Sequence, residues 1–460
     1  MQMATDGLYP AEVIGETGQV VEQLALLSYS SAIPFRSLPA QRNEMREDTL
    51  IKYGQHCPVS FRREASHIPS TTFGVFSLYR YPAKFIPQAV AYVIDHYATC
   101  TSRVIDPFAG SGTTGLTAYL YGLDSELWDL NPLLNHIVQT SLMKPIPIKA
   151  EAIVSEMQKS QADWLPEWSR LSYWYPESVF PILSKAWGYY HQLSDQAIRS
   201  LLTFPLLKAT KQFSYNDPQR QKLSRSPKAT KRVETLLQNN PEHRFFQLLH
   251  DEIAQVQRKL HEYHQLASQS NPSTITVCAG IDSSEYVANL PEGLYWDILI
   301  TSPPYLQAQE YIRCSKLDLF WLGYTEEQIR ALSKLELPYK KVEPFEVRSR
   351  TYDAVRETIS EPHLLRMYEQ YFFSVLRTLT LLSERITDTL ALFVGQATVR
   401  GRRVPIDAIF AEHFSVLGWR HEVTYIDKIE ARVMFRSRVN PATGIEDQRM
   451  PTEHMVILRR

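Results

Sequence analysis

The chain has 460 residues and a mass of 53.1 kDa, too long for one compact core; at roughly 100 to 200 residues per domain, two or three domains are expected. Its 44% hydrophobic, 11% aromatic and 22% charged content is that of a soluble globular protein and excludes wholesale disorder, and its 17 Gly and 28 Pro show no period that would suit a collagen-like or mucin-like chain. Forty-nine basic against fifty acidic residues leave a net charge of −1, which excludes a polycation gripping nucleic acid over its whole surface but not a local basic groove.

In chain order, residues 1–70 form an N-terminal extension to which the sequence assigns no role. A short helix is expected at Gln19 to Leu27, followed by a polar, proline-broken stretch. No basic flank precedes an apolar core in MQMATDGLYPAEVIGE, so no signal peptide is expected. No run approaches 18 apolar residues, so no membrane partner is expected. The four cysteines (Cys57, Cys100, Cys278, Cys314) lack any C-x-x-C spacing, which fits a reducing cytoplasm better than a disulfide framework or zinc ribbon.

From Thr71 the texture changes. A turn leads into a helix that has Pro87 near its first turn. Arg103 to Asp106 reads as a short buried strand, followed at once by a glycine-rich loop, a helix (Thr113 to Tyr121) and a second strand (Glu126 to Asp129). This β-loop-α-β unit predicts a doubly wound α/β domain. Strand signals then stop. Residues 145–270 read as a mainly helical insert, whose last helix carries an apolar stripe of Leu249, Ile253, Val256, Leu260 and Tyr263. Strand texture returns at Ile275 to Cys278 and Trp296 to Ile300. Beyond these, helices are expected near Leu364 to Leu382 and Ile406 to Leu417, and strands at Thr389 to Val394, Val423 to Ile426 and Met455 to Leu458. The expected architecture is a Rossmann-like seven-stranded sheet with helices on both faces, formed by residues 71–144 and 271–460, plus the insert.

Two constellations carry chemistry. In Asp106-Pro107-Phe108-Ala109-Gly110-Ser111-Gly112-Thr113-Thr114, small residues let a ligand approach the backbone between strand end and helix start. The loop lacks the third glycine of a dinucleotide fingerprint, and Asp106 would repel a pyrophosphate while accepting bonds from an ammonium. Twenty-three residues on, Asp129 ends the next strand, placed to accept both hydroxyls of a ribose. A cationic, amino-acid-bearing nucleoside fits: S-adenosylmethionine. The second constellation is a hydrophobic strand running into Ser302-Pro303-Pro304-Tyr305. Two prolines cannot continue a ladder, so they stiffen the exit and leave carbonyls facing the cleft. A hydroxyl, a free carbonyl and an aromatic face held together suit an exocyclic amino group on a flat base.

With these residues the sequence resembles the amino-methylating DNA methyltransferases, which modify cytosine N4 or adenine N6. DPFAGSGTT resembles their cofactor loop and TSPPY their catalytic motif. YPAKFIP, with Tyr81, Lys84 and Phe85, is similar to the segment packing on the methionine moiety. WDLNP, with Asp129 and Asn131, resembles the ribose motif, and Asp282 the acid near the adenine amino group. The resemblance implies a seven-stranded methyltransferase sheet and S-adenosylmethionine as cofactor. It also implies base flipping in double-stranded DNA and no metal, since amino methylation needs neither a metal nor a protein nucleophile. Ser302 points within the family toward N4-cytosine, and a cognate restriction endonuclease or phage-defence protein becomes a candidate partner. Adenine N6, RNA or small-molecule methylation, and a non-catalytic recognition subunit remain alternative readings.

Common members of that family do not place a long insert between the ribose strand and the Asp282 strand, so the insert must be read from its own residues. Between Lys208 and Arg232 lie eight basic residues (Lys208, Lys211, Arg220, Lys222, Arg225, Lys228, Lys231, Arg232) against one acid, Asp217, with Phe213 and Tyr215 interleaved. Phosphate-seeking charge with stacking faces marks a candidate DNA-recognition region. A second basic cluster, Arg400, Arg402 and Arg403, follows the fifth expected strand near the cleft mouth.

Overall fold

The computed structural model describes residues 12–14, 38, 54–82, 84–220, 222–238, 240–267, 270–306, 310–399, 402–429 and 451–460. The helix expected at 19–27 lies outside the described residues. Eleven strands are described: β1 (Glu12–Ile14), β2 (Gln55–Val59), β3 (Val104–Asp106), β4 (Ser125–Asp129), β5 (Ile275–Ala279), β6 (Trp296–Thr301), β7 (Ile386–Gly395), β8 (Ala397–Val399), β9 (Arg402–Val404), β10 (Arg420–Lys428) and β11 (Thr452–Arg459). All seven expected strands are among them. Nine build one sheet in the order β1-β5-β4-β3-β6-β7-β11-β10-β2, and β8 and β9 pair as a separate ribbon.

The five strands β5-β4-β3-β6-β7 run parallel, which requires a crossover after each and accounts for their apolar interiors. Helix Thr113–Leu120 connects β3 to β4, and helix Pro362–Ser383 leads into β7. Two apolar layers cover the sheet. One joins Val93, Leu116, Ile298 and Phe393 with the insert; the other joins Ile105, Leu299, Phe372 and Phe410. Adjacent residues of one strand, such as Ile298 and Leu299, enter opposite layers, as a period of two dictates. The order reverses between β3 and β6, because successive strands lie on one side of β3 up to β5 and on the other side from β6. A doubly wound sheet opens its ligand crevice beyond the carboxyl ends of the strands at such a reversal.

Two edge strands add to the expectation. β1 pairs antiparallel with β5, and β2 pairs parallel with β10. Between β4 and β5 the chain forms helix Leu133–Leu142 and then the helices of the insert, ending in the 27-residue helix Pro241–Ala267. Its expected stripe, Leu249, Ile253, Val256, Leu260 and Tyr263, is buried throughout. The insert has no core of its own: Leu183, Trp187 and Leu249 belong to the same apolar cluster as Val93 and Leu116. The Tyr263 hydroxyl donates to the carbonyl of Leu116 at 2.7 Å, tying the long helix to the helix that follows the glycine loop.

Candidate active site

The loop after β3 is held by two carboxylates. Thr114 Oγ1 donates to Asp106 Oδ2 and Thr301 Oγ1 to Asp106 Oδ1, both at 2.6 Å, and the Phe108 amide donates to Oδ1 at 3.0 Å. Asp106, the residue expected to receive a ligand ammonium, thus already accepts three hydrogen bonds from the protein. Its side chain is buried, and both oxygens are committed to fixing the ends of β3 and β6 against the loop. Asp129 works similarly from β4: Oδ2 accepts the Gly110 amide and Oδ1 the Asn131 amide, each at 2.7 Å. One carboxylate thus sets the loop's depth and the other its lip. Gly110 has φ +54°, and a Cβ there would lie 3.1 Å from Tyr81 Cε1, so glycine is required where the loop passes the Tyr81 ring.

Above this loop lies a cleft that opens to solvent. Its walls bring together most of the expected cofactor residues: Tyr81, Lys84, Phe85, Asp106, Pro107, Phe108, Ala109, Gly110, Ser111, Asp129, Asn131 and Asp282. Gly112 and Thr113 do not line it; they form the turn into the helix, with Ser111 Oγ and Thr113 Oγ1 3.1 Å apart. Ser302 and Pro304 line the same cleft, so the two motifs, almost two hundred residues apart in the chain, share one cavity. Pro303 is buried. Among the described residues the Ser302 hydroxyl has no hydrogen-bond partner, whereas the Tyr305 hydroxyl donates to Glu453 Oε1 on β11 at 3.0 Å, outside the cleft wall.

Several expected cofactor residues are already engaged. Lys84 Nζ donates to the Phe76 carbonyl, and burial, with Lys259 nearby, pulls its ammonium down to about 8. Asn131 uses its amide on Ser315 Oγ at 3.1 Å. Asp282 caps helix Ser283–Ala288 through Ser284 and pairs with Lys340, so at this end of the cleft its charge is balanced. Phe85 stacks on Phe393 at 4.9 Å between centroids.

Burial dominates the electrostatics. It pushes Asp106 and Asp129 up to about 6 despite the hydrogen bonds that favour their ionised forms, and Glu336 on the opposite wall up to about 7. The cleft therefore holds carboxyl groups that gain charge near neutrality, a common property of functional sites.

Sequence reasoning missed Tyr311, Glu336, Lys340 and Glu453. Tyr311 opens helix Tyr311–Trp321 and stacks on Tyr81 with centroids 5.9 Å apart. The others lie in segments that carry no motif.

The basic residues of the insert do not form a free array. Lys208 pairs with Glu252 at 2.6 Å, Lys211 with buried Asp318 at 2.5 Å, Arg220 with Asp217 at 3.6 Å and Lys222 with Glu310 at 3.1 Å. Arg225 sits over the Tyr173 and Tyr215 rings at 4.8 and 4.3 Å, and Arg232 donates to the carbonyls of Gln212, Ser214 and Asn216. Of the eight, only Lys228 and Lys231 are exposed with no side-chain hydrogen bond or ion pair among the described residues. Phe213 is not a stacking face: it is 1% exposed and packs on Phe245. Arg402 and Arg403 are exposed on the β8–β9 ribbon, donating to the Thr358 carbonyl and to Gln396 Oε1; Arg400 lies outside the described residues.

Comparison with known proteins agrees with the cleft. The chain is 23% identical over 419 residues to the type II methyltransferase M.MvaI of Kocuria varians, an overlap covering 82% of this chain and 89% of that protein. All the relatives described here are methyltransferases. Type II methyltransferase M.BsoBI of Geobacillus stearothermophilus is 22% identical over 313 residues, covering 60% of this chain and 58% of its own. Type II methyltransferase M.MjaII of Methanocaldococcus jannaschii is 34% identical over 83 residues, covering 18% and 16%. No family model and no solved structure matches the chain. The relatives support an enzyme of methyl transfer on a Rossmann-like sheet.

Proposed function

We propose that the protein is a site-specific DNA methyltransferase that uses S-adenosylmethionine to methylate the exocyclic N4 amino group of cytosine, in restriction-modification or phage defence. The observation that carries the reading is the shared cleft: the glycine loop and Asp129 stand in the same cavity as Ser302 and Pro304. The residues present fit the cofactor. A backbone cradle that a Cβ at Gly110 would crowd, and an acid at the end of β4, suit a nucleoside, with Asp129 for the ribose, Asp282 toward the adenine and Phe108 to Ser111 along the chain between. When bound, S-adenosylmethionine supplies an electrophilic methyl group on a sulfonium.

The protein's own part is positioning. A target base must leave the duplex, at a cost of roughly a few kcal/mol, recovered by stacking and edge contacts. Ser302 Oγ, free of other partners among the described residues, and the Pro303 carbonyl accept hydrogen bonds from the base's amino group. They hold its nitrogen so that the lone pair leaves conjugation with the ring. Tyr305 supplies the stacking face. The exposed Arg402 and Arg403 on the β8–β9 ribbon, with Lys228 and Lys231 on the insert, form the candidate phosphate contacts, and the insert is the candidate recognition region. The reading implies a cytoplasmic protein working beside a cognate endonuclease. The test is to incubate the protein with labelled cofactor and unmodified genomic DNA and digest the product to nucleosides. N4-methyldeoxycytidine is expected; N6-methyldeoxyadenosine would transfer the reading to adenine, and no incorporation would overturn it.

A further inference from the structure

Tyr305 was expected to supply an aromatic face, yet among the described residues its hydroxyl is the one group of the Ser-Pro-Pro-Tyr loop with a specific side-chain partner. That partner, Glu453, lies 148 residues away, second in strand β11. The topology brings it there. β6 runs toward the cleft and delivers Ser302 to Tyr305 from its carboxyl end; β7 lies beside it in parallel, and β11 runs antiparallel to β7 with Glu453 opposite Gly395, the last residue of β7. The first residues of β11 therefore stand level with the cleft edge. Alternation along β11 sends Met455 and Ile457 into the layer containing Phe85 and Phe393, while Val456 and Leu458 enter the other, so Glu453 shares the face of Phe393. Next to it, Asp427 lies opposite Glu453 in register and pairs with Arg62 at 3.5 Å.

We propose that Glu453 is a positioning residue for the target base: by accepting the Tyr305 hydroxyl it holds the far end of the Tyr305 side chain, and so the direction in which the ring projects, at the edge of the base site. The inference rests on the catalytic role proposed above for the Ser302–Tyr305 loop. The physical reason is the loop's construction. Pro303 and Pro304 stiffen the backbone up to Tyr305 but do not themselves select the side-chain rotamer that aims its ring. A stacking face that swings between rotamers must be ordered again in each encounter with a base, and a hydrogen bond at its far end removes that freedom beforehand. The bond is made within a mostly buried environment, where its loss leaves a carboxyl without its donor.

The experiment uses the 460-residue protein in four variants: Tyr305→Phe, Glu453→Met, Glu453→Gln and the Tyr305→Phe/Glu453→Met pair. Glu453→Met fills the volume without an acceptor; Glu453→Gln keeps a carbonyl oxygen for the hydroxyl. Methyl incorporation into unmodified genomic DNA gives kcat and KM, and calorimetry with S-adenosylhomocysteine reads the cofactor site. Tyr305→Phe and Glu453→Met are each expected to lower kcat/KM by about tenfold with cofactor affinity unchanged, and the pair by no more than either alone. Glu453→Gln should stay within about threefold of wild type. Wild-type turnover in Glu453→Met, or losses that multiply in the pair, would overturn the inference. A thermal-melting cycle on the same variants reads the contact without activity: non-additive shifts are expected, and additive shifts show that the bond does not form. Absence of methyl transfer by wild-type protein refutes the proposed function, while the melting cycle still decides the contact.

Discussion

If Asp129 receives the cofactor's ribose as a carboxylate, binding must depend on pH in a calculable way. Burial places this group at about 6, above its ordinary 3.8, although two amides donate to it at 2.7 Å. A group titrating at about 6 is about nine-tenths ionised at pH 7 and about one-tenth at pH 5, so affinity for a ligand needing the ionised form should fall about tenfold over that interval, or about 1.4 kcal/mol. The perturbation is Asp129→Asn, which keeps one carbonyl oxygen but sets an NH2 against either the Gly110 or the Asn131 amide. It should weaken S-adenosylhomocysteine by about 1 to 3 kcal/mol and flatten the profile. Calorimetric titrations from pH 5 to 8 on both proteins provide the assay. Asp106 also titrates at about 6, but its oxygens serve Thr114, Thr301 and Phe108, and its contribution persists in the variant as a common background. Wild-type affinity that is flat across this range, or a variant that follows the wild-type curve, would refute the assignment of Asp129 to the ligand.

Ser302→Ala should lower turnover while leaving cofactor and DNA affinities near wild type, because it removes an acceptor at the reacting nitrogen; unchanged kcat would place the chemistry elsewhere. Asp106 binds its proton more tightly folded than unfolded, so its contribution to stability is complete below about 3.8 and is lost as the pH rises through about 6. In urea melts, the stability of wild type relative to Asp106→Asn should fall across that window, and a rise would reverse the sign of the argument. In the insert, Lys228→Ala with Lys231→Ala should leave melting unchanged and reduce the slope of log DNA affinity against log salt by roughly 2. Lys211→Ala should instead destabilise the fold by about 2 to 4 kcal/mol by stranding buried Asp318, which calorimetric melting would detect.

The parts of this fold legible in the sequence are those whose cause is local. Parallel strands buried on both faces read as apolar runs, and Ile105 and Leu299 could be placed without knowing their neighbours. The edges could not. β2 is the polar QHCPV, with a proline that an edge tolerates, and it becomes a strand only because β10 lies alongside. The glycine loop, Asp129 and the Ser-Pro-Pro-Tyr exit were legible for the same local reason, since each is a strand end with its turn chemistry attached. The partnership of Tyr305 with Glu453 depends on the register of β11 against β7, which no residue near either of them announces. Phe213 and the basic stretch show the converse error. A charge count is composition, whereas Lys211 and Lys222 are spent on Asp318 and Glu310, carboxylates that lie about a hundred residues away in sequence.

Those two ion pairs bear on why the insert sits where it does. β4 and β5 are parallel neighbours, so the chain between them must cross from one end of the sheet to the other, and a single helix suffices. Here the crossing passes through the whole insert before returning at Ile275, still on one face of the sheet and within one apolar layer. An excursion at a chain end could dock or leave; one enclosed between two central strands is held at both ends by the sheet itself. Lys211 and Lys222 then fasten it to Asp318, within the helix after the Ser302–Tyr305 loop, and to Glu310, at that helix's start. Any element of the insert that meets DNA is thereby set at a fixed distance from the residues that would meet the base. The proposed recognition region and the proposed catalytic loop are thus linked through covalent topology first and ion pairs second. Loss of either pair should therefore disturb the alignment of the loop before it disturbs the sheet.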